Sequence, residues 1–271
     1  MEKKKYLEML NEINWEKRKE IESLLIPAIK ISKKEIKSEN KIGVSKFGGK
    51  PDLPVNINWP ILNEKPLCFL AQINLEEIME FDIEKKLPET GILYFFVEHP
   101  GEFSLNHKII YSNEKELLRN EYPKELDKNC QFSESKMNFE HIYTFPSNET
   151  LEIESLSEVD KDSYFEIDED VFNYNNNQIL GHTCPVQGDV NLEWAFTKLG
   201  IEFTEDNYEN NKIEINNIRS KFINLLQFST ENSIPEFWEV FYIDSSGYFG
   251  ITEKDLKELN FNETVLTFQN T

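Results

Sequence analysis

Leu67-Cys68-Phe69-Leu70-Ala71-Gln72-Ile73 is a run of apolar side chains with one amide near its end, closed by Pro66 and Asn74. Such a run, bounded by turn formers, reads as a buried strand. Downstream, Pro88-Glu89-Thr90-Gly91 signals a turn. The following Ile92-Leu93-Tyr94-Phe95-Phe96-Val97 is the strongest strand in the chain, since every residue is β-branched, aromatic or Leu. Between the two, Asn74 caps a short helix predicted over Leu75–Phe81, with Glu76 and Glu77 in its first turn. Upstream, Lys46 to Pro60 packs two Gly, three Pro and Trp59 into fifteen residues. Gly48-Gly49 can take positive φ, and each Pro pushes its predecessor towards an extended shape, so the segment reads as an ordered loop.

The same order recurs later. Gly181 follows Gly48 by 133 residues, Trp194 follows Trp59 by 135, Gln227 follows Gln72 by 155 and Gly247 follows Gly91 by 156. One insertion of 20 residues between Trp and Gln accounts for the drift. The sequence therefore predicts a pseudo-symmetric, mainly β domain of α+β type, roll-like, whose two halves share one core. It spans residues 1–271, with a first β repeat over about 28–98, a middle segment over about 99–178 and a second repeat over about 179–271.

Other elements follow from periodicity. Residues 3–26 read as an amphipathic helix ending at Pro27, and Ala28 to Ser32 as a strand. Strands are expected at Lys108–Tyr111, His141–Phe145 and Leu151–Ser155, and helical structure at Lys115–Arg119; Asn175 to Asn177 reads as a loop. Val190–Leu199 reads as a helix stopped by Gly200. Phe222–Phe228 reads as a strand. Val240–Ile243 and Tyr248–Ile251 read as two strands joined through Asp244 to Gly247. Thr252 caps a helix over Glu253–Glu258, and Val265–Gln269 closes the fold as a strand.

Composition narrows the function. The 271 residues carry 29 Lys and Arg against 50 Asp and Glu, a net charge of −21, which argues against a nucleic-acid partner. Residues 1–50 are net +5 and residues 51–271 net −26. The densest acidic stretch, Glu149 to Asp170, includes Glu158, Asp160, Asp162, Asp168, Glu169 and Asp170. It reads either as a docking surface for a basic partner or as a solvated face. No apolar run is long enough to span a bilayer, and acids interleave the N-terminal lysines, so no membrane contact is expected. Three Cys, an odd number, predict no disulfide framework and a reducing, cytoplasmic setting.

Catalytic signatures are lacking: the sequence contains no G-x-S-x-G, Walker loop, HExxH or Cys-x-x-Cys. His182-x-Cys184 is half of a zinc pattern without a second pair, and an EF-hand count from Asp160 fails at positions six and twelve. No metal and no cofactor are expected. Cys68 reads as a small core residue. Gln72 and Gln227 read as fasteners for the loops beside them, the alternative being a pair of contacts in a cleft. Trp59 and Trp194 read as wedges between the halves.

Phe47 to Pro54, Trp59-Pro60, Pro66 to Leu75 and Gly91 to Phe96 resemble blocks of the YwqG-like family of bacterial proteins. Leu225-Leu226-Gln227, Gly247-Tyr248-Phe249 and Asp255-Leu256 resemble its C-terminal blocks, so the resemblance covers roughly 20–271. The family usually carries a Trp-Gly-Asp-like run where this chain has Ile243-Asp244-Ser245-Ser246. The resemblance implies a mainly β roll with flanking helices and brings no established activity; some members look like companions of toxins. Two expectations follow. One is a non-enzymatic protein that docks a basic, toxin-like partner in an immunity-type role. The other is an enzyme or small-ligand module with a site between the halves, using His182, Gln187, Asp189 and Gln227.

Overall fold

The computed structural model describes residues 3–10, 18–34, 41–99, 105–165, 177–230, 232–234, 236–241 and 245–270. The first part of the chain supplies α1 (Lys3–Met9), α2 (Arg18–Ser23), β1 (Ile26–Lys34), β2 (Lys46–Phe47), β3 (Asp52–Pro54), β4 (Ile61–Leu62), β5 (Lys65–Pro66), β6 (Cys68–Asn74), β7 (Ile92–Val97), β8 (His107–Ser112) and β9 (Leu117–Arg119). The middle adds β10 (Ser135–Thr144), α3 (Leu151–Glu154) and α4 (Glu158–Phe165). The last part adds β11 (Asn177–Leu180), α5 (Val190–Leu199), α6 (Glu205–Arg219), β12 (Phe222–Ser229), α7 (Glu236–Phe241), β13 (Ser245–Thr252), α8 (Glu253–Lys257) and β14 (Val265–Asn270).

Ten strands form one sheet in the order β14-β13-β12-β11-β1-β10-β2-β6-β7-β8, every neighbouring pair antiparallel. The fold is mainly β, as the apolar runs predict. The sheet curls until its ends nearly meet, close to a barrel. The His107 ring on β8 contacts the Thr264 hydroxyl at 3.0 Å, just before β14, and Phe95 on β7 packs on Phe249 of β13 with ring centroids 5.1 Å apart. Closing a sheet on itself covers edges that would otherwise pair with other chains.

The order reads the same from either end, with the β1–β10 pair at its middle. β1 pairs with β11 and β10 with β2, so β1 belongs spatially to the later half, although the sequence places it with the first repeat. β6 is bulged between Phe69 and Ala71, and β12 is bulged between Asn224 and Leu226. The backbone registers correct two of the sequence pairings. Asn74 faces Ile92 and Ser229 faces Ser246, so Gly91 corresponds to Ser245 rather than to Gly247. The left-handed pair Gly48-Gly49 (φ 58° and 70°) corresponds to Leu180-Gly181 (φ 61° and 71°), so the partner of Gly181 is Gly49. A side chain at Gly181 would meet the Ala28 Cβ at 2.5 Å, so the position requires glycine on both steric and backbone grounds.

Several local expectations change in three dimensions. The N-terminal segment holds two short helices, with residues 11–17 outside the described set, and the strand starts at Ile26, because Pro27 biases its predecessor towards an extended backbone. Leu151–Ser155 is helical, since Ile153 and Leu156, three apart, pack with Ile21, Tyr6 and Phe145. The predicted helix at Lys115–Arg119 is strand β9, held to β3 by Arg119 opposite Asp52. Val240 and Phe241 lie in α7, where Phe237 and Phe241, one turn apart, pack edge-to-face with Phe132 and Phe228 respectively; residues 242–244 lie outside the described set. β13 begins at Ser245, within the expected turn. Only Leu75–Glu77 of the predicted Leu75–Phe81 helix forms, as a single 3-10 turn capped by Asn74. Asn177 starts β11. The expectation of no disulfide fails as well: a disulfide joins Cys68 on β6 to Cys130, and Cys184 takes no part in it. These two cysteines lie 62 residues apart, a distance that local spacing does not link.

Candidate functional site

Two buried hydrogen-bond cages repeat across the pseudo-axis. In the first half the Gln72 Oε1 accepts from the Asp52 N–H at 2.8 Å, the Tyr94 hydroxyl donates to the Asp52 carbonyl at 2.8 Å, and Lys46 Nζ donates to the Lys50 carbonyl at 2.6 Å. In the second half the Gln227 Oε1 accepts from the Cys184 N–H at 3.0 Å, the Tyr248 hydroxyl donates to the Cys184 carbonyl at 2.8 Å, and Gln178 Nε2 donates to the His182 carbonyl at 2.6 Å. Lys46 faces Gln72 across the ladder as Gln178 faces Gln227. Each glutamine thus fastens the loop that follows the left-handed pair, and Cys184 occupies the place of Asp52. The motif His182-x-Cys184 is therefore the counterpart of Lys50-x-Asp52, a loop anchor. Burial pushes the Cys184 thiol up to about 12, opposite to what a metal ligand or nucleophile needs.

The cages differ in charge. In the first, Lys46 Nζ lies 3.4 Å from Asp52 and 2.8 Å from Glu134, and Arg119 Nε donates to Asp52 at 2.8 Å. Burial would raise the Asp52 carboxyl, but Arg119, the Gly43 N–H, Lys46 and Gln72 together hold it below the ordinary carboxylate value. In the second, Gln178, Cys184 and Ala28 stand at the corresponding places and carry no charge.

Two clefts also take equivalent places, each beside the start of a bulged strand. One, of about 440 Å³, is lined by Leu67, the Cys68–Cys130 disulfide, Glu98, His99 and Asp127. The other, of about 310 Å³, is lined by Phe222, Ile223, Asn224, His182, Asp189 and Arg219, with Lys86, Lys221, Glu152 and Glu253 around them. Arg219, the last residue of α6, turns inward. Its Nε donates to Asp189, the N-cap of α5, and its Nη2 donates to the Glu154 carboxylate at 2.9 Å and to the Glu149 carbonyl at 3.0 Å. Burial pushes the Asp189 carboxyl up against the pull of Arg219. Burial pushes the His182 imidazole down, against Glu152 and the Leu24 carbonyl, which meets His182 Nε2 at 2.7 Å.

Of the sequence candidates, His182 and Asp189 share this cleft. Gln187 stands apart, its N–H donating to Gln269 and its amide 3.4 Å from Asn270. Gln72 and Gln227 lie in the cages. Trp59 and Trp194 do not wedge the halves apart. Trp59 packs on Phe96 and Tyr122 of its own half, and Trp194 on Phe222 and the bare Cα of Gly250. In the acidic stretch Glu158 and Asp162 are exposed, but Asp160 is buried and bonded to Ser157, because it closes the first turn of α4; Asp168, Glu169 and Asp170 lie outside the described residues. Arg219 and Lys86 escaped the sequence reading. Arg219 is 30 residues from Asp189 in a polar helix, and no local pattern marks it. Among the described residues no group of three His, Cys, Asp or Glu side chains is placed to hold a metal ion, and no helix is long and apolar enough to cross a membrane.

The fold and its cages define a twinned antiparallel β protein with a cleft beside each bulged strand. The chain belongs to the family described as domain of unknown function DUF1963, whose sequence profile matches residues 45–269. That span takes in both glutamine-held loops and both bulged strands. A search of curated proteins finds no match to the chain.

Proposed function

We propose that this chain is a binding protein whose ligand seat is the cleft beside Arg219. One observation carries this reading: a guanidinium only 2% exposed lines an open polar cleft with two of its nitrogens paired and the third, Nη1, without a partner. Binding fits better than catalysis, because Asp189 is committed to Arg219 and His182 Nε2 to the Leu24 carbonyl. A library of small polar compounds screened by amide NMR on the full chain tests it. Shifts confined to residues 181–183 and 219–224 support the seat. Compounds that bind only elsewhere, or none that bind, remove it.

A second reading, suggested by the resemblance to YwqG-like proteins, is docking of a basic, toxin-like protein in an immunity-type role. Glu158 and Asp162, exposed and one turn apart on α4, favour it. The expected partner is the basic product of a neighbouring gene, with affinity falling steeply between about 50 and about 500 mM salt. Salt-independent binding would remove the argument. A cytoplasmic home goes with this reading, and the Cys68–Cys130 bridge is its sharpest test, since such bridges are uncommon in reducing compartments.

A further inference from the structure

Two buried polar atoms on the Arg219 cleft lack partners, and they differ in kind. The first is Arg219 Nη1, a charged donor. The second belongs to Asn224, on the bulged start of β12 and 3% exposed. Its Nδ2 donates to the Leu180 carbonyl at 3.3 Å, which leaves Oδ1 as an acceptor that meets no donor. Buried polar groups in folded proteins are nearly always paired, and an unmet charged group costs more than a neutral one. The surroundings that favour an anion at the first atom are Lys86 and Lys221, which stand on the same lining; the first turn of α5 is already capped by Asp189, which accepts from the Asn191 N–H. The cleft favours a small one, because it is about 310 Å³ and the carboxylates of Glu152, Asp189 and Glu253 share its wall, opposing a polyanion.

We propose that this cleft binds a small oxyanion that carries its own hydroxyl group, a hydrogen phosphate or a short hydroxycarboxylate. The anionic oxygens face Arg219 Nη1 and the hydroxyl donates towards Asn224 Oδ1. The proposal rests on the reading of this cleft as a ligand seat and adds the chemical class of the ligand. Arg219 serves as a fixed anion anchor because Asp189 and Glu154 hold its other nitrogens and leave the guanidinium little freedom to turn.

Titrations of the full chain with inorganic phosphate, glycolate, acetate and glycerol, followed by amide NMR, test it. Phosphate or glycolate is expected to shift residues 181–183 and 219–224, with phosphate alone or glycolate alone identifying the source. Acetate, which lacks the hydroxyl, is expected to bind about tenfold more weakly than glycolate. Asn224→Asp, nearly isosteric, places a negative charge beside the seat and is expected to weaken the anion at least about tenfold. Lys221→Ala, at a surface position, is expected to weaken it a few-fold, less at high salt. Acetate binding as tightly as glycolate overturns the proposal, as does an Asn224→Asp protein that folds and binds the anion unchanged. If glycerol shifts these residues and no anion does, this inference fails while the ligand seat stands. If nothing in a wide screen shifts them, both fail.

Discussion

Replacing Gln72 by Ala removes one amide that serves two segments of chain. Its Oε1 is the acceptor for the Asp52 N–H, and its Nε2 donates to the Val44 carbonyl at 2.8 Å and to Asp52 Oδ2 at 3.0 Å. The Asp52 carboxylate keeps Arg119, Lys46 and the Gly43 N–H, so it adds little to the loss. The two backbone groups are stranded, at about 1–3 kcal/mol each, and water entering the vacated space keeps the sum towards the lower end, about 2–4 kcal/mol. For a chain of this size each kcal/mol moves the melting temperature by about 2–4 °C, so Gln72→Ala should melt roughly 5–15 °C below the parent. Gln227→Ala should show a loss of the same kind, because the Cys184 N–H loses its acceptor. Gln131→Ala, on the surface, is the control, expected within about 0.5 kcal/mol of the parent. Calorimetry with urea unfolding provides the measurement. A Gln72→Ala protein that melts with the Gln131→Ala control would refute the idea that the amide fastens the loop.

Two further outcomes follow from buried sulfur and buried imidazole. The Cys68–Cys130 bridge closes a span of 62 residues, so Cys130→Ser or reduction should cost up to about 4 kcal/mol on chain-entropy grounds. A urea midpoint indifferent to reductant would show that the bridge does not form, while buried Cys184 should resist alkylation until the chain unfolds. Burial pushes both His107 and His182 below their ordinary value, so below about pH 6.5 the unfolded chain binds more protons than the folded one. Their stabilisation is present above that pH and drains away as pH falls through it. Denaturant midpoints should therefore drop between about pH 7.5 and about pH 5.5, less steeply in a His107→Gln/His182→Asn protein, and an equal slope in both would count against the assignment.

Legibility in the sequence tracked how local each cause is. The strand Ile92–Val97 and the helix Val190–Leu199 with its Gly200 stop were predicted to the residue, because apolar run, cap and breaker lie side by side. The Thr252 cap was legible for the same reason: its hydroxyl accepts from the Asp255 N–H three residues on. Leu151–Ser155 was misread because a four-residue helix and a short strand leave the same two apolar marks, and only packing against Tyr6 and Ile21 separates them. The α6 helix, 15 residues of mostly polar side chains, carried no stripe strong enough to announce it.

The residue order alone determined that the protein is built mainly of strands and that its two halves echo each other, since buried strands must be apolar throughout and that demand is written along the chain. It also marked Gln72 and Gln227, one amide in each apolar run. Tertiary structure decided which glycine answers which, which cysteines join, and that one cage is ionic while its twin is neutral. It also decided that Arg219 meets Asp189 at the rim of a cleft. Those outcomes depend on closing the sheet, which brings together groups tens of residues apart, and no local pattern records a contact made only when distant strands pair.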